Sequence, residues 1–177
     1  MAEPEVTETV RWVAIDRVRS RVRAERLSAP GPEVVPDVLV IDGDHFWART
    51  GTDVATNNGD PGHAHGGTEA VALLEPGYVP SLSDLTPTGM STVSERQCAT
   101  VRATARHDAE EVPLRYNPFG MVIGGDEFML DVDRATGLIV RATKLVDGLR
   151  AEVQEWLELR MDGLLEEALF APLTANS

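Results

Sequence analysis

The chain of 177 residues is 42% apolar and 25% charged, which is ordinary for one globular domain with a substantial core. Its net charge of -13 at pH 7 disfavours binding to nucleic acid and to anionic membrane surfaces. A lone cysteine, Cys98, excludes an internal disulfide framework. The acidic N-terminus lacks the features of a signal peptide, and no apolar run reaches the roughly 18 residues of a membrane span. We therefore predict a cytoplasmic protein with a single domain over residues 1–177, flexible at 1–9 and 173–177.

The pattern from Val10 to Arg26 alternates in two runs, interrupted at Asp16, and the second run carries a stripe of arginines. Apolar and small residues alternate with the basic ones, and this period of two indicates a strand rather than a helix. The stripe consists of Arg17, Arg19, Arg21 and Arg23. It raises the hypothesis of an anion site. The alternative, which we favour, is a solvated face that pairs with acidic side chains of neighbouring strands.

Short strands joined by tight turns follow. Val38–Ile41 and His45–Arg49 flank an Asp42-Gly43-Asp44 turn, and this pattern predicts a β-hairpin. A further strand is predicted at 54–56. Parallel strands need long crossover connections, so this spacing favours an antiparallel meander.

Two long loops are predicted, over 57–67 and 77–94, because glycine, proline and asparagine interrupt both segments. A short helix between them is capped by Thr68 and ends at Pro76. The first loop contains His63 and His65, but two histidines without further ligands fall short of a zinc site, so we predict no metal. Loops of this length are usually functional or disordered, and the second could wrap over one face of the sheet.

The second half of the chain is predicted to be β as well. A strand over Gln97–His107 holds Cys98, which we interpret as a structural cysteine because no base lies close enough to activate it. A hairpin follows, with strands from Phe128 and from Leu138 joined at Gly137. Alternation places Phe128, Leu130 and Val132 on the inner face and Met129, Asp131 and Asp133 on a wet face.

The segment 151–161 fits a helix by composition and a strand by alternation. Because Asp147-Gly148 is a strong hairpin turn, we favour a strand to about Met161. A short helix over Leu164–Phe170 is then predicted to plug the end of the sheet.

Three segments resemble the LolA/RseB-like lipoprotein-carrier superfamily. They are Asp42-Gly43-Asp44-His45-Phe46-Trp47, the hairpin from Gly125 to Arg141, and Leu164–Pro172. The resemblance is to an actinobacterial member, and it implies a mainly β (α+β) fold, in which a curved antiparallel sheet or half-barrel carries one or two short helices on its concave side. Such a fold implies an apolar cavity for acyl chains or a hydrophobic peptide. Few residues precede the first strand, so the N-terminus is short and leaves a sheet edge that a homodimer could cover.

We therefore expect a noncatalytic binding protein for an apolar small molecule, lipid or peptide, with no cofactor. Seven bulky residues are the candidates for lining its cavity: Trp12, Phe46, Phe119, Met121, Phe128, Leu130 and Leu157. The alternative for each of them is the packed core.

Two other functions remain open. A cofactor-free cyclase or isomerase of actinobacterial secondary metabolism could use the same cavity, because such catalysis needs mainly shape and a few polar groups. Its candidate catalytic residues are Glu69, Tyr78, His45 and Tyr116. The other alternative is a regulator that docks a protein partner through an exposed sheet edge. The sequence has no Walker loop, GxSxG motif, zinc signature or dinucleotide fingerprint, so kinase, hydrolase and dehydrogenase functions are unsupported.

Overall fold

The structure is a computed structural model that describes residues 8, 10–28, 37–57, 73–74, 76–106, 127–161 and 163–174. Its strands form two five-stranded antiparallel sheets, which confirms the predicted mainly β, antiparallel fold. The backbone contacts divide the chain into two compact units, and each is described separately. The first comprises Met1–Thr68 and Gly163–Ser177, and the second comprises Glu69–Asp162. That the chain is one domain stays a prediction.

The first unit contains a meander of five strands in sequence order. Each strand pairs with the next in antiparallel register, and the tight turn after β3 places Gly43 at a φ of 57°. This confirms the predicted hairpin and meander. The strands are β1 (Val10–Asp16), β2 (Arg21–Ser28), β3 (Val38–Asp42), β4 (His45–Thr50) and β5 (Asp53–Thr56).

The predicted interruption at Asp16 is a turn over residues 17–20 that joins β1 to β2, so the strand predicted to carry all four arginines begins only at Arg21. Ser20 adopts a φ of 54°, which is uncommon for a residue other than glycine. Only Arg21 and Arg23 of the stripe therefore lie in a strand, while Arg17 and Arg19 belong to the turn.

The C-terminal segment completes the first unit. Leu173 packs against Val38 and Val40 in the core of this unit. The predicted helix over Leu164–Phe170 is shorter than expected, since only Glu167–Phe170 form a single 3-10 turn. Phe170 is nevertheless buried, as a plug of the sheet would require.

The second unit contains the other sheet, in which each strand is again antiparallel to its neighbours. The prediction of a loop over 77–94 is wrong. A 3-10 turn (Pro76–Tyr78) and helix α1 (Val79–Leu82) precede a long strand there. The strands, in their spatial order, are β10 (Leu149–Glu155), β9 (Ile139–Val146), β8 (Glu127–Asp133), β7 (Arg96–Ala105) and β6 (Ser83–Val93).

The β8–β9 hairpin is confirmed, with Gly137 at a φ of 74° in its turn. The strand over 151–161 is also confirmed in type, but it ends at Glu155. The predicted loop 57–67 and helix 68–76 lie almost entirely outside the described residues. No helix in the described part of the chain is long and apolar enough to cross a membrane.

One face of the second sheet is apolar from β6 to β8, whereas Lys144, Glu152 and Gln154 occupy it toward β10. Phe128 and Leu130 of β8 point to it, and Ala103 and Ala142 flank them on β7 and β9. Leu73 and Val79 cover these side chains, so this part of the face is a packed core. We call this side of the sheet the apolar face.

Candidate functional site

The opposite side of the second sheet carries Asp131, which is the most buried carboxylate of the described residues together with Asp133, at 3% exposure each. Ser91 and Thr100 donate hydrogen bonds to its Oδ1 over 2.6 and 2.8 Å, and Arg141 Nε donates to its Oδ2 over 2.7 Å. Burial alone raises the pKa of the Asp131 carboxyl, but these three donors outweigh burial and lower it. Asp131 is therefore an ionised, fully bonded group.

The Asp133 carboxylate stabilises the turn of the β8–β9 hairpin through hydrogen bonds. Thr136 Oγ1 and Arg96 Nη1 donate to its Oδ2, each over 2.8 Å, and the Ala135 N–H donates to Oδ1. The bond from Thr136 is the largest cause of a lowered pKa of Asp133, and Arg96 adds to it. The predicted wet face with Asp131 and Asp133 is thus wrong, because long-range partners bury both carboxylates.

These two acids have the contacts of structural groups. A general acid or base needs a pKa near the working pH and an unsatisfied hydrogen-bonding direction toward substrate. Asp131 and Asp133 have lowered pKa values and two or more donors each. Ser91, Thr100 and Arg141 were missed by the sequence analysis, since nothing local connects positions 91, 100, 131 and 141 before the strands are aligned.

The apolar face is covered unevenly. Along β6, at the end of the sheet, the register places Leu85 beside Ala103, Pro87 beside Val101 and Met90 beside Ala99. These β6 residues therefore share the face of Phe128 and Leu130. All three are exposed, Leu85 at 41% and Met90 at 58%. We call Leu85, Pro87 and Met90 the β6 strip.

The β6 strip is an apolar surface that continues the packed core into solvent. Large exposed apolar side chains that adjoin one another mark binding surfaces more often than isolated ones do. The strip was not predicted from the sequence, because Pro87 and Gly89 indicated a loop. The edge position and a register shift between Pro87 and Gly89 accommodate both residues in a strand.

The predicted cavity residues differ in burial and in the unit to which they belong. Phe128 and Leu130 belong to the packed core of the second unit. The space beside Phe128, lined also by Ala142 and Lys144, holds about 10 Å³, roughly the room for one water molecule. That space is too small for an acyl chain.

The remaining cavity candidates lie elsewhere. Leu157 follows β10 and is 65% exposed. Trp12 and Phe46 belong to the first unit, where Trp12 is exposed and Phe46 half-buried. Phe119 and Met121 lie outside the described residues. The described members of this set are therefore divided, since Phe128 and Leu130 are core residues of the second unit and Trp12 and Phe46 belong to the first.

Two of the four catalytic candidates, His45 and Tyr78, belong to the described residues, and they lie in different units. His45 is exposed at the start of β4, and its ring stacks on Trp47 with 6.2 Å between ring centroids. Tyr78 belongs to the 3-10 turn of the second unit. Glu69 and Tyr116 lie outside the described residues, so their roles stay predictions.

Cys98 is fully buried on β7, beside Val93 and Val140. Burial raises the pKa of its thiol, which disfavours the thiolate that a nucleophile requires. The interpretation of a structural cysteine agrees with this environment. Among the described residues no group of three or more potential ligands is arranged to hold a metal ion, and His63 and His65 lie outside them.

The arginine stripe of the first unit contacts the chain's own C-terminal segment. Arg21 Nη1 donates to Glu167 Oε2 over 2.6 Å, and Arg19 also binds this carboxylate. Arg21 lies 4.5 Å above the centre of the Phe170 ring, a cation–π contact. Arg23 Nη1 donates to the Leu169 carbonyl over 3.0 Å. Arg21 Nη2 also donates to Asp16 Oδ2 over 2.8 Å, and Asp16 faces Arg21 on the neighbouring strand β1. The favoured pairing with acidic side chains of neighbouring strands therefore holds for Arg21, and Glu167 is a further partner that the sequence did not predict.

Solved structures share this fold. MucB aligns with a TM-score of 0.55 and 19% identity over 96% of this chain and 53% of that chain. The Pseudomonas aeruginosa MucA/MucB complex aligns with a TM-score of 0.55 and 17% identity over 96% of this chain and 51% of that chain. MucB in complex with MucA(peri) aligns with a TM-score of 0.52 and 19% identity over 96% of this chain and 50% of that chain.

These alignments show that the chain shares the fold of MucB, which supports the LolA/RseB-like fold that the sequence resemblance implied. The chain spans about half the length of the MucB structures that it matches. No family model matches the sequence, and no curated protein matches it. At this level of identity the likeness concerns the fold alone.

Proposed function

We propose that this chain is a noncatalytic binding protein that holds a hydrophobic ligand against the apolar face of its second sheet. The observation that carries the proposal is the β6 strip, where Leu85 and Met90 are exposed beside a core of the same face. Binding there removes apolar area from water, at about 25 cal/mol for each Å². The ligand classes are an acyl chain, a lipid, and a hydrophobic peptide or metabolite.

The ligand surface differs from the cavity first predicted. Phe128 and Leu130 are already covered by Leu73 and Val79, so they support the surface from beneath instead of touching a ligand. The β6 strip takes over the contacting role. Val101 and Ala99, which are half-buried beside it, extend the surface toward the core.

Docking of a protein partner is the second candidate, and the fold favours it. Two of the solved structures with this fold are complexes of MucB with MucA. A partner-docking role would use the same exposed strand, since an edge strand offers both apolar side chains and backbone hydrogen-bonding groups. The cyclase or isomerase alternative and the cytoplasmic location stay predictions.

A binding experiment tests the proposal. The purified protein is examined by native mass spectrometry for co-purified apolar molecules and is titrated with an environment-sensitive apolar dye. We expect saturable dye binding that Met90→Lys weakens by about tenfold or more, since this change places a charge in the contact.

The matched control is Leu149→Lys, which changes a side chain of 74% exposure on β10, the other end strand of the sheet. It should leave the dye affinity within about twofold, because surface substitutions outside a contact have small effects. Absence of any bound molecule together with absence of saturable dye binding would refute the proposal.

A further inference from the structure

β6 is an unusual end strand. It has eleven residues, and β7 is its only strand neighbour in the described part of the chain. Of these eleven residues only Asp84 is charged, whereas β10 at the other end of the sheet holds Arg150, Glu152 and Glu155 within seven residues. Proteins usually protect long end strands with charged side chains, because an open edge is a template for pairing with another strand.

The edge of β6 offers more than apolar side chains. The outer side of an end strand presents backbone N–H and C=O groups. A partner stabilises them most when it supplies the complementary hydrogen-bond acceptors and donors. An acyl chain supplies none. The space of about 10 Å³ beside Phe128 is too small to hold an acyl chain. An extended peptide satisfies both requirements at once, through its backbone and its alternate side chains.

The net charge of the chain indicates which charge its peptide partner should carry. With a net charge of -13, two copies of this chain repel each other at long range, whereas a basic segment is attracted. Pairing of β6 with β6 of a second copy would also oppose two irregular stretches, since the register shifts between Pro87 and Gly89 in each copy. Charge complementarity therefore favours a basic peptide over a second copy.

We infer that β6 accepts an extended peptide as a sixth strand of the second sheet, with apolar side chains at alternate positions resting on the β6 strip and lysine or arginine among the others. This inference rests on the proposed function and specifies its ligand. Asp84 lies at the start of β6 and is the charged group nearest in sequence to the strip. Its carboxylate gives the basic residues of the peptide a partner at one end.

The test uses the full chain and a fluorescent peptide of about ten residues, alternating valine and threonine with a lysine at each end. Its control has the same side chains, but its central amides are N-methylated, so it cannot donate backbone hydrogen bonds. We expect the unmodified peptide to bind in fluorescence anisotropy and the methylated peptide to bind at least about tenfold more weakly. Affinity should fall as salt is added, because screening weakens the attraction of the basic ends.

Variants locate the contact. Met90→Lys should weaken binding of the peptide by at least about tenfold, and Asp84→Asn by about two- to threefold. Leu149→Lys on β10 is the matched control and should leave the affinity unchanged. Thermal unfolding of each variant verifies that it is folded.

The outcomes separate this inference from the proposed function. If a long-chain fatty acid or the apolar dye binds at Met90 but the peptide does not, strand addition is wrong and the proposed function survives. Equal binding of the methylated peptide, loss of binding on Leu149→Lys alone, or concentration-dependent dimers abolished by Met90→Lys would each overturn the inference. If neither dye, fatty acid nor peptide binds, both fail.

Discussion

Arg141 Nε lies 2.7 Å from Asp131 Oδ2, and the two residues face each other directly across β9 and β8. Arg141 Nη1 also lies 3.8 Å from Glu155 on β10, so one guanidinium joins three adjacent strands. Buried carboxylates of this kind stabilise a sheet only while their partners are in place, because an unpaired buried charge is strongly unfavourable.

Asp131→Asn removes the charge but keeps the shape of the side chain. We expect it to lower the free energy of unfolding by about 2 kcal/mol, because the amide cannot accept all three of the present hydrogen bonds and Arg141 loses the nearer of its two charged partners. Urea denaturation followed by fluorescence measures the change. The control, Asp84→Asn, alters an exposed carboxylate of β6 and should change stability by less than about 0.5 kcal/mol. Equal effects of the two variants would contradict a structural role of Asp131.

Acid should destabilise the protein through its bonded carboxylates. Hydrogen bonds lower the folded-state pKa of Asp131 and Asp133 below the ordinary 3.8, so the unfolded chain binds these protons more readily than the folded chain does. Their contribution is fully present above the unfolded pKa and is lost as the pH falls through the folded pKa. The free energy of unfolding, measured by urea titration from pH 7 downward, should therefore fall below about pH 5. In Asp131→Asn the same curve should be flatter.

Phe170→Ala tests the anchoring of the C-terminal segment in the first unit. Phe170 is buried beneath Arg21, and truncation of a buried phenylalanine destabilises by about 3 kcal/mol or more. Hydrogen exchange at 167–173 should accelerate together with a lower unfolding temperature. Leu164→Ala, at a fully exposed position of the same segment, is the matched control and should change neither quantity. Unchanged exchange in Phe170→Ala would mean that the ring does not hold the segment.

Cys98 should resist alkylation in the folded protein. Its side chain is fully buried and its thiol has a raised pKa, so both access and thiolate formation are disfavoured. Mass spectrometry after iodoacetamide treatment should show labelling on the order of a hundredfold slower than in denaturant, since reaction requires local opening. Fast labelling of the folded protein would mean that β7 opens readily.

Local turn chemistry predicted the hairpins. Gly43 and Gly137 sit at positive φ where Asp-Gly and Thr-Gly patterns placed the turns, and the alternation around Phe128 gave the inner face of β8. Turn dipeptides and strand alternation involve only a few neighbouring residues, so they can be recognised in a single sequence.

The predictions that were wrong fail because they depend on contacts between residues far apart in the sequence. The arginine and valine alternation runs unbroken through the turn before Arg21, and Ser20 takes the positive φ without a glycine to signal it. Pro87 is tolerated because β6 lies at the end of the sheet, which only the strand order reveals. The buried Asp131 carboxylate accepts hydrogen bonds from Ser91 and Arg141, which lie on other strands. Glu167 accepts a hydrogen bond from Arg21, which is 146 positions earlier in the sequence. These contacts arise from tertiary pairing, which no local pattern encodes.

The first unit is closed by residues that come after the whole of the second unit. On the ribosome Val38 and Val40 emerge on the order of ten seconds before Leu173, at a synthesis rate of about 5–20 residues per second. During that interval Val38 and Val40 lack the side chain of Leu173, which packs against them in the finished unit. We therefore expect a chain that stalls before position 163 to keep these apolar side chains accessible to chaperones, because incompletely folded chains expose apolar surface.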